Sequence, residues 1–263
     1  MRVCALASGS SGNCFYIENE HSNNNKNAVL IDAGISAKKI TERLADVGKN
    51  PENIKALFIT HEHSDHIIGA DVFARKFKVP IFITKKVAKS CFVCEDKELI
   101  NEIKNNEVNK LIGLEISAFP KSHLGLDPVS YSISDLKLRK KASVITDAGF
   151  ACKNVIANVN EADFLCFESN YDEKMLENGF YPYPTKKWIK SDKGHLSNVQ
   201  SAACIVEHGK NKLKHVMLSH ISKNNNTPDI ALNTCNYFIS QRQNFSPKVS
   251  LSLREFATRV FAV

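Results

Sequence analysis

Residues 55–66 read KALFITHEHSDH, an apolar run that opens directly onto three histidines and an aspartate. KALFIT has the length and the branched and aromatic content of a buried strand. At its end His61, His63, Asp65 and His66 offer neutral imidazole nitrogen and anionic oxygen, a donor set suited to Zn, Mn or Fe. In a loop that follows a strand, residues 61 and 63 can point one way while 65 and 66 turn toward a neighbouring ion. The plain alternative is a solvated polar loop. Four such groups packed behind an apolar strand would each need a hydrogen-bond partner of their own, which is costly without a cation.

The same signal recurs outward from this stretch. SAFPKSHLGLDP puts His123 after an apolar run, ASVITDAG does so for Asp147, and KHVMLSHISKNN for His220. Open α/β architectures place functional groups at such strand ends. Any one of the three alone would more often be a structural residue. With the 61–66 cluster they supply seven ligands, enough for two divalent ions sharing one bridging carboxylate. The other histidines lack this context: His21 lies in a polar stretch, and His208 and His215 flank a helix end and a strand start. Those three are expected on the surface.

VCALA, CFYIE, AVLID, KALFIT, PIFIT, LEISAF, PVSYSI, ASVITD, DFLCFE, HVMLSH and KVSLSL read as strands. ENEHSNNNKN suits a hairpin tip. Ser36 is a candidate N-cap for a helix with Ile40, Leu44 and Val47 on one face, ending at Gly48. Further helices are signalled from Ser197 to Gly209 and from Thr227, with Pro228 at the favoured first position. Many short strands with few helices predict an α/β fold of two sheets packed face to face, with helices outside. No linker or repeat interrupts residues 1–263, so one domain is expected.

Composition is that of a globular protein: 43% hydrophobic and 24% charged residues, with a formal charge of +7. The charge favours an anionic partner without requiring one. No run approaches the roughly 18–20 apolar residues that span a bilayer, and the N-terminus is too short in apolar residues for a signal peptide. A cytoplasmic protein with no membrane association is expected, its eight cysteines reduced and mostly in the core. The lone pair Cys91 and Cys94 has no second ligand pair nearby and is read as one face of a helix.

HEHSDH resembles the HxHxDH motif of the metallo-β-lactamase superfamily, and the later His, Asp and His follow that superfamily's order. SGSSGN (8–13), LIDAG (30–34), ESNYD (168–172), GHLSN (194–198) and LSHISKNNNTP (218–228) are similar to the YycJ/WalJ group within it. The resemblance runs from about residue 3 to about residue 240. It implies an αββα sandwich of two mixed sheets with helices on the outer faces and metals at one edge. It also implies that His61, His63 and His123 hold one ion, that Asp65, His66 and His220 hold a second, and that Asp147 bridges them. One position departs: Leu124 stands where the group usually carries an Asp beside the third-motif His. Asp127 is the candidate substitute.

Two cations about 3.5–4 Å apart can share a water and bring its pKa toward neutrality. The expected reaction is attack by that bridging hydroxide, with Asp65 in addition orienting the nucleophile. His195, outside the seven ligands, is the candidate general acid; it resembles the non-ligand histidine of the superfamily's tRNA-processing and phosphonate-pathway phosphodiesterases. Ser10, Ser11 and Asn13 in SGSSGN, with Lys193 and Asn198, are candidate substrate contacts. Lys186, Lys187, Lys190 and Lys193 around Trp188 could follow a phosphate backbone, though a lysine face is often only solvated. The resemblance favours phosphodiester hydrolysis of nucleic acid, of the 5′→3′ DNA exonuclease kind. A small-molecule phosphodiesterase or thioesterase on the same cage is the second reading. A non-enzymatic regulatory protein is the third. Oligomeric state is not legible.

Overall fold

The computed structural model describes residues 1–21 and 27–263. The first half holds β1 (Arg2–Ala7), β2 (Cys14–Glu18), β3 (Ala28–Ile31), α1 (Ala37–Asp46), β4 (Ile54–Phe58), α2 (Ser64–Ile67), α3 (Ala70–Phe77), β5 (Ile81–Thr84), α4 (Lys85–Ser90) and β6 (Ile100–Ile103). The second holds β7 (Val108–Leu111), β8 (Leu114–Pro120), β9 (Val129–Asp135), β10 (Lys140–Ile145), α5 (Lys153–Glu161), β11 (Phe164–Glu168), α6 (Glu173–Asn178), α7 (Tyr183–Ile189), α8 (Asn198–His208), β12 (His215–Ser219), α9 (Pro228–Ser240), β13 (Lys248–Leu251) and β14 (Phe261–Ala262).

These strands form two sheets of seven, ordered β14-β1-β2-β3-β4-β5-β6 and β13-β12-β11-β10-β9-β8-β7. Each sheet is mixed. β1 to β3 pair antiparallel and β3 to β6 parallel; β7 to β10 pair antiparallel and β10 to β13 parallel. Strand alternation sorts the core into layers. Val3, Ala5, Phe15, Ile31 and Phe58 meet Ile116, Tyr131, Val144 and Phe164 between the sheets. The alternate residues Cys4, Leu6, Tyr16 and Leu30 pack outward with Ile40 and Leu44 of α1 and Phe73 of α3. Leu165, Phe167 and Leu218 face α5, α8 and α9 through Val155, Ile205 and Ala231. This is the sandwich of two mixed sheets with outer helices that the sequence predicts.

The signalled helices form where expected. Ser36, Ser197 and Thr227 accept backbone N–H bonds at the starts of α1, α8 and α9, and Gln200 completes a capping box with Ser197. β2 and β3 form the expected hairpin, with Glu18 opposite Ala28; residues 22–26 of its tip lie outside the described residues. Two expectations are corrected. Cys91 and Cys94 follow α4 in an irregular segment, because the helix ends at Ser90. His215 is buried, stacked 4.7 Å from Phe164 and bonded through Nε2 to Ser250 Oγ at 2.7 Å, because β12 pairs on both edges. All eight cysteines are free and most are buried. Among the described residues no helix is long and apolar enough to cross a membrane.

Candidate metal centre

The strands β4, β10, β11 and β12 end at one rim of the sandwich, where they deliver His61, Asp147, Glu168 and His220. Asp32, Asp147 and His220 adopt φ of 62°, 54° and 55°, left-handed backbone that non-glycine residues rarely occupy. Each turns the chain sharply at a strand end and throws its side chain into the rim. Backbone bonds clamp the HEHSDH loop there: Asn13 N–H donates to Asp65 O at 2.8 Å and Ala33 N–H to His66 O at 2.8 Å. Gly34 makes that approach possible, since a Cβ there would lie 1.6 Å from Asp65 O.

Two donor sets gather at this rim, His61 with His63 and His123, and Asp65 with His66, Asp147 and His220; the ligand atoms of each set lie within 4.8 Å of one another. Asp147 reaches toward both. Its Oδ1 is 3.8 Å from His123 Nε2, while its Oδ2 is 3.1 Å from His66 Nε2 and 3.3 Å from His220 Nδ1.

The tautomers follow from the partners behind the rings. His66 Nδ1 faces Asp32 Oδ2 at 2.7 Å and must donate, which turns Nε2 into the donor set. His123 Nδ1 faces the Gly194 carbonyl at 3.0 Å, with the same result. The backbone thus takes the place of the missing Asp at Leu124, and Asp127 does not serve.

Electrostatics fit the same picture. Burial holds His61 well below the ordinary imidazole range and His123 at about 3, so both are neutral and carry a lone pair. Burial likewise lowers His220. For His66 burial opposes the charge, but Asp32 and Asp147 outweigh it and hold the ring well above its usual range. For Asp147 burial opposes ionisation, but His220 and His66 outweigh it and keep the carboxyl well below the usual carboxylate range.

A divalent cation fits these residues. His61 Nε2 and His63 Nδ1 converge to 3.0 Å, two imidazole nitrogens that can share a proton or turn both lone pairs to an ion. Asp147 Oδ2 and His220 Nδ1 are buried without a hydrogen-bond partner. Such atoms are costly unless an ion satisfies them.

The seven expected ligands are therefore brought together, and His195 joins them. Its Nδ1 lies 2.7 Å from Glu168 Oε1 and 3.9 Å from Asp147 Oδ1. Burial opposes its charge, but Glu168 outweighs it and raises the imidazole pKa. Glu168, His195, Asp147 and His220 form a third group of possible donors. Glu168 is already engaged by His195 and by the Ala148 N–H at 2.6 Å, so this group needs no ion.

A cleft of about 280 Å³ opens over the centre, lined by Ser10, His63, Asp65, His123, His195 and Trp188 among others. Of the expected substrate contacts, Ser10 lines it. Ser11 lines an adjoining cleft with Ser36 and Lys39, and Lys193 is exposed on the loop before His195. Asn13 and Asn198 are corrected. Asn13 is fully buried, accepting from Ser8 Oγ and Gly9 N–H, with its amide nitrogen 3.2 Å from His66 Nε2. Asn198 is buried between Ser169 and Asn226. Both amides are spent on the protein itself and position the rim.

Three residues escaped the sequence reading of the site: Asp32, Thr60 and Glu168. Thr60 Oγ1 donates to Asp32 Oδ2 at 2.9 Å and lies 2.9 Å from His61 Nδ1. Asp32 and Glu168 close AVLID and DFLCFE, the same strand-end signal that marked Asp147.

Residues 7–132 match the metallo-β-lactamase superfamily domain. The chain is 36% identical over 234 residues to the exodeoxyribonuclease WalJ of Streptococcus pneumoniae, covering 86% of this chain and 83% of that protein. It is 30% identical over 236 residues to the exodeoxyribonuclease YycJ of Bacillus anthracis, covering 88% and 86%. Among solved structures, the metallo-β-lactamase fold protein YhfI from Bacillus subtilis superposes with a TM-score of 0.70 at 14% identity over 98% of each chain. PqqB from Methylobacterium extorquens gives 0.69 at 14% identity over 98% of this chain and 99% of its own; at such identities the fold alone is shared. A strand-end cage of His and Asp at the rim of two mixed sheets, together with these relatives, makes the chain a member of the metallo-β-lactamase superfamily, in its WalJ/YycJ group of metal-dependent hydrolases.

Proposed function

We propose that the chain is a two-metal phosphodiesterase that removes nucleotides from DNA, an exonuclease of the 5′→3′ kind. The observation that carries this reading is the Asp147 carboxylate, one oxygen toward His123 and the other toward His66 and His220, beneath a cleft with His195 on its wall. Relatives matched over more than four-fifths of both chains are named exodeoxyribonucleases, which supports DNA as the substrate.

His61, His63 and His123 would hold one ion, Asp65, His66 and His220 the other, with Asp147 between them; the mixed N/O set suits Zn, Mn or Fe. Divalent ions there supply Lewis-acid polarisation of the phosphoryl group and an activated water. The chain's own residues do the rest. Asp65, lining the cleft, accepts a hydrogen bond from the attacking water and aims it. His195 donates a proton to the leaving oxygen, and Glu168 favours the charged imidazole and orients it for that step. Asp32 and Thr60 fix the rings of His66 and His61 from behind. Ser10 on the cleft wall is placed to bond a phosphate oxygen. Ser11 and Lys193 flank the same rim.

The cleft's modest volume, about 280 Å³, also favours a small phosphodiester as a second reading. One experiment separates the two: a 5′-labelled DNA oligonucleotide and bis(p-nitrophenyl) phosphate are each incubated with purified protein and Mn or Zn, with His63→Ala as the blank. Stepwise, metal-dependent shortening of DNA, absent in the variant, is the expected result. Intact DNA with turnover of the small ester would replace the nuclease reading by the second. No turnover of either with metal bound would leave a non-enzymatic role.

A further inference from the structure

Helix α7 has two working faces. Thr185, Trp188 and Ile189 look into the catalytic cleft. On the other side Tyr183, Lys186, Lys187 and Lys190 line a separate groove of about 650 Å³, completed by Glu177 and Ser191. Two aromatic rings are exposed at the start of α7 where burial would be expected, Tyr183 of the groove at 76% and Phe180, three residues before it, at 77%. Phe180 meets Tyr181 edge to face at 4.8 Å, and Tyr181 lines the cleft. Four residues at the start of α7 thus carry three aromatic rings, with Tyr181 in the cleft, Phe180 against it and Tyr183 in the outer groove.

Charge on the groove is net positive. Lys186 Nζ donates to the Glu177 backbone carbonyl at 2.7 Å and is paired with no carboxylate there. Glu177 is the one acidic group in the lining, and Lys190 holds it at 2.8 Å. Both members of that pair are exposed, so the pairing is weak and a polyanion can compete for the lysine. Lys187 is exposed on the same helix.

We propose that this outer groove binds a single-stranded segment of the DNA substrate beyond the nucleotide being cleaved, with Phe180 and Tyr183 stacking on unpaired bases and Lys186, Lys187 and Lys190 following the phosphates. The chemistry selects a single strand, because every unpaired base offers a face to an aromatic ring while a duplex hides its bases in the stack. It rests on the nuclease reading for its ligand. The geometry makes the path short: a helix with its side chains is about 10–12 Å across, so a strand leaving the cleft reaches the groove within a few nucleotides.

The test uses the full chain. Fluorescence anisotropy measures binding of a labelled single-stranded oligonucleotide and of a blunt duplex, across a salt series, in Ca or another non-supporting cation. Two variants are compared with wild type: Lys186→Ala/Lys187→Ala/Lys190→Ala and Phe180→Ala/Tyr183→Ala. These are surface changes, and unchanged melting is their folding control. For the lysine variant the slope of log affinity against log salt flattens by about 2, since each single-strand phosphate contact contributes about 0.7. For the aromatic variant, affinity for the single strand falls tenfold or more, as loss of base stacking predicts, while affinity for the blunt duplex changes less. KM for a long oligonucleotide rises with the loss of affinity. Unchanged affinity and slope in both variants would overturn the proposal, and equal losses on single strand and duplex would overturn its choice of strand. Binding through the groove by a protein that does not cut DNA would sink the nuclease reading and leave the groove standing.

Discussion

His195 and Glu168 show how much a single contact decides. The 2.7 Å bond between them fixes the imidazole beside Asp147 without making it a ligand of either donor set. His195→Ala is expected to keep both metal equivalents and to lose about 10²–10⁴-fold in turnover, the worth of general acid catalysis. Metal analysis and initial rates check this, and unchanged turnover would refute the assignment. Asp32 acts from the opposite side. Asp32→Ala strips partners from Thr60 and His66, and metal affinity should fall about 10–100-fold. A metal titration would detect it, and unaltered affinity would mean that the ring needs no such support. The sequence exposed the candidate ligands that the fold gathers at one rim, because three histidines and an aspartate after one apolar run have few other uses. It did not expose the residues behind them. Asp32 and Glu168 end strands as Asp147 does, but nothing along the chain says which strand ends share a rim. Asn13 and Asn198 failed as substrate contacts for the converse reason: an asparagine in a polar loop looks free until its hydrogen bonds are seen.

At the scale of elements, strand ends and the turns that follow them carry the site. Gly34 is the tightest of these. Gly34→Ala would push a methyl into Asp65 O and displace the first turn of α2, which carries Asp65 and His66. Overpacking of this kind costs about 1–3 kcal/mol, so the variant should melt several degrees lower and bind metal poorly. A melt and metal content matching wild type would contradict the clamp. His215 supplies a pH test on β12. Burial first, then Arg259 and Lys248, hold it at about 4 against an ordinary 6.5. Between those values the unfolded chain binds a proton that the folded chain refuses. The contribution to stability is therefore full above about pH 6.5 and is lost as pH falls toward 4. In His215→Phe, which keeps a ring against Phe164 and Phe261, Tm should fall less steeply through that window; parallel Tm curves would count against it. Sequence patterning revealed the apolar strands because both sheets bury them. It missed β6 and β7, since INEI and VNKL are half-exposed edge strands with little apolar alternation. The CxxC pair was misread because apolar spacing alone does not show where α4 stops.

The whole molecule explains why a buried cage of imidazoles and carboxylates is stable enough to exist. Two sheets, each covered by helices on its outer face, fix the strand ends independently of the ions. Unpartnered Asp147 Oδ2 and His220 Nδ1 remain as a local cost in the metal-free chain. Metal that binds only the folded state should then stabilise it, by about 2.7 kcal/mol at a hundredfold excess over Kd, and raise Tm in a concentration-dependent way, and a chelator should reverse it. Scanning calorimetry checks this, and a metal-insensitive Tm would mean that the cage does not bind ions in the folded chain. The most direct test of the account follows from the same titration. Chelated protein is titrated with Mn or Zn while hydrolysis of a 5′-labelled DNA oligonucleotide is followed. The account predicts no cleavage without metal and a rate that saturates at two equivalents per chain. Cleavage by the metal-free chain, or intact DNA with two equivalents bound, would contradict it.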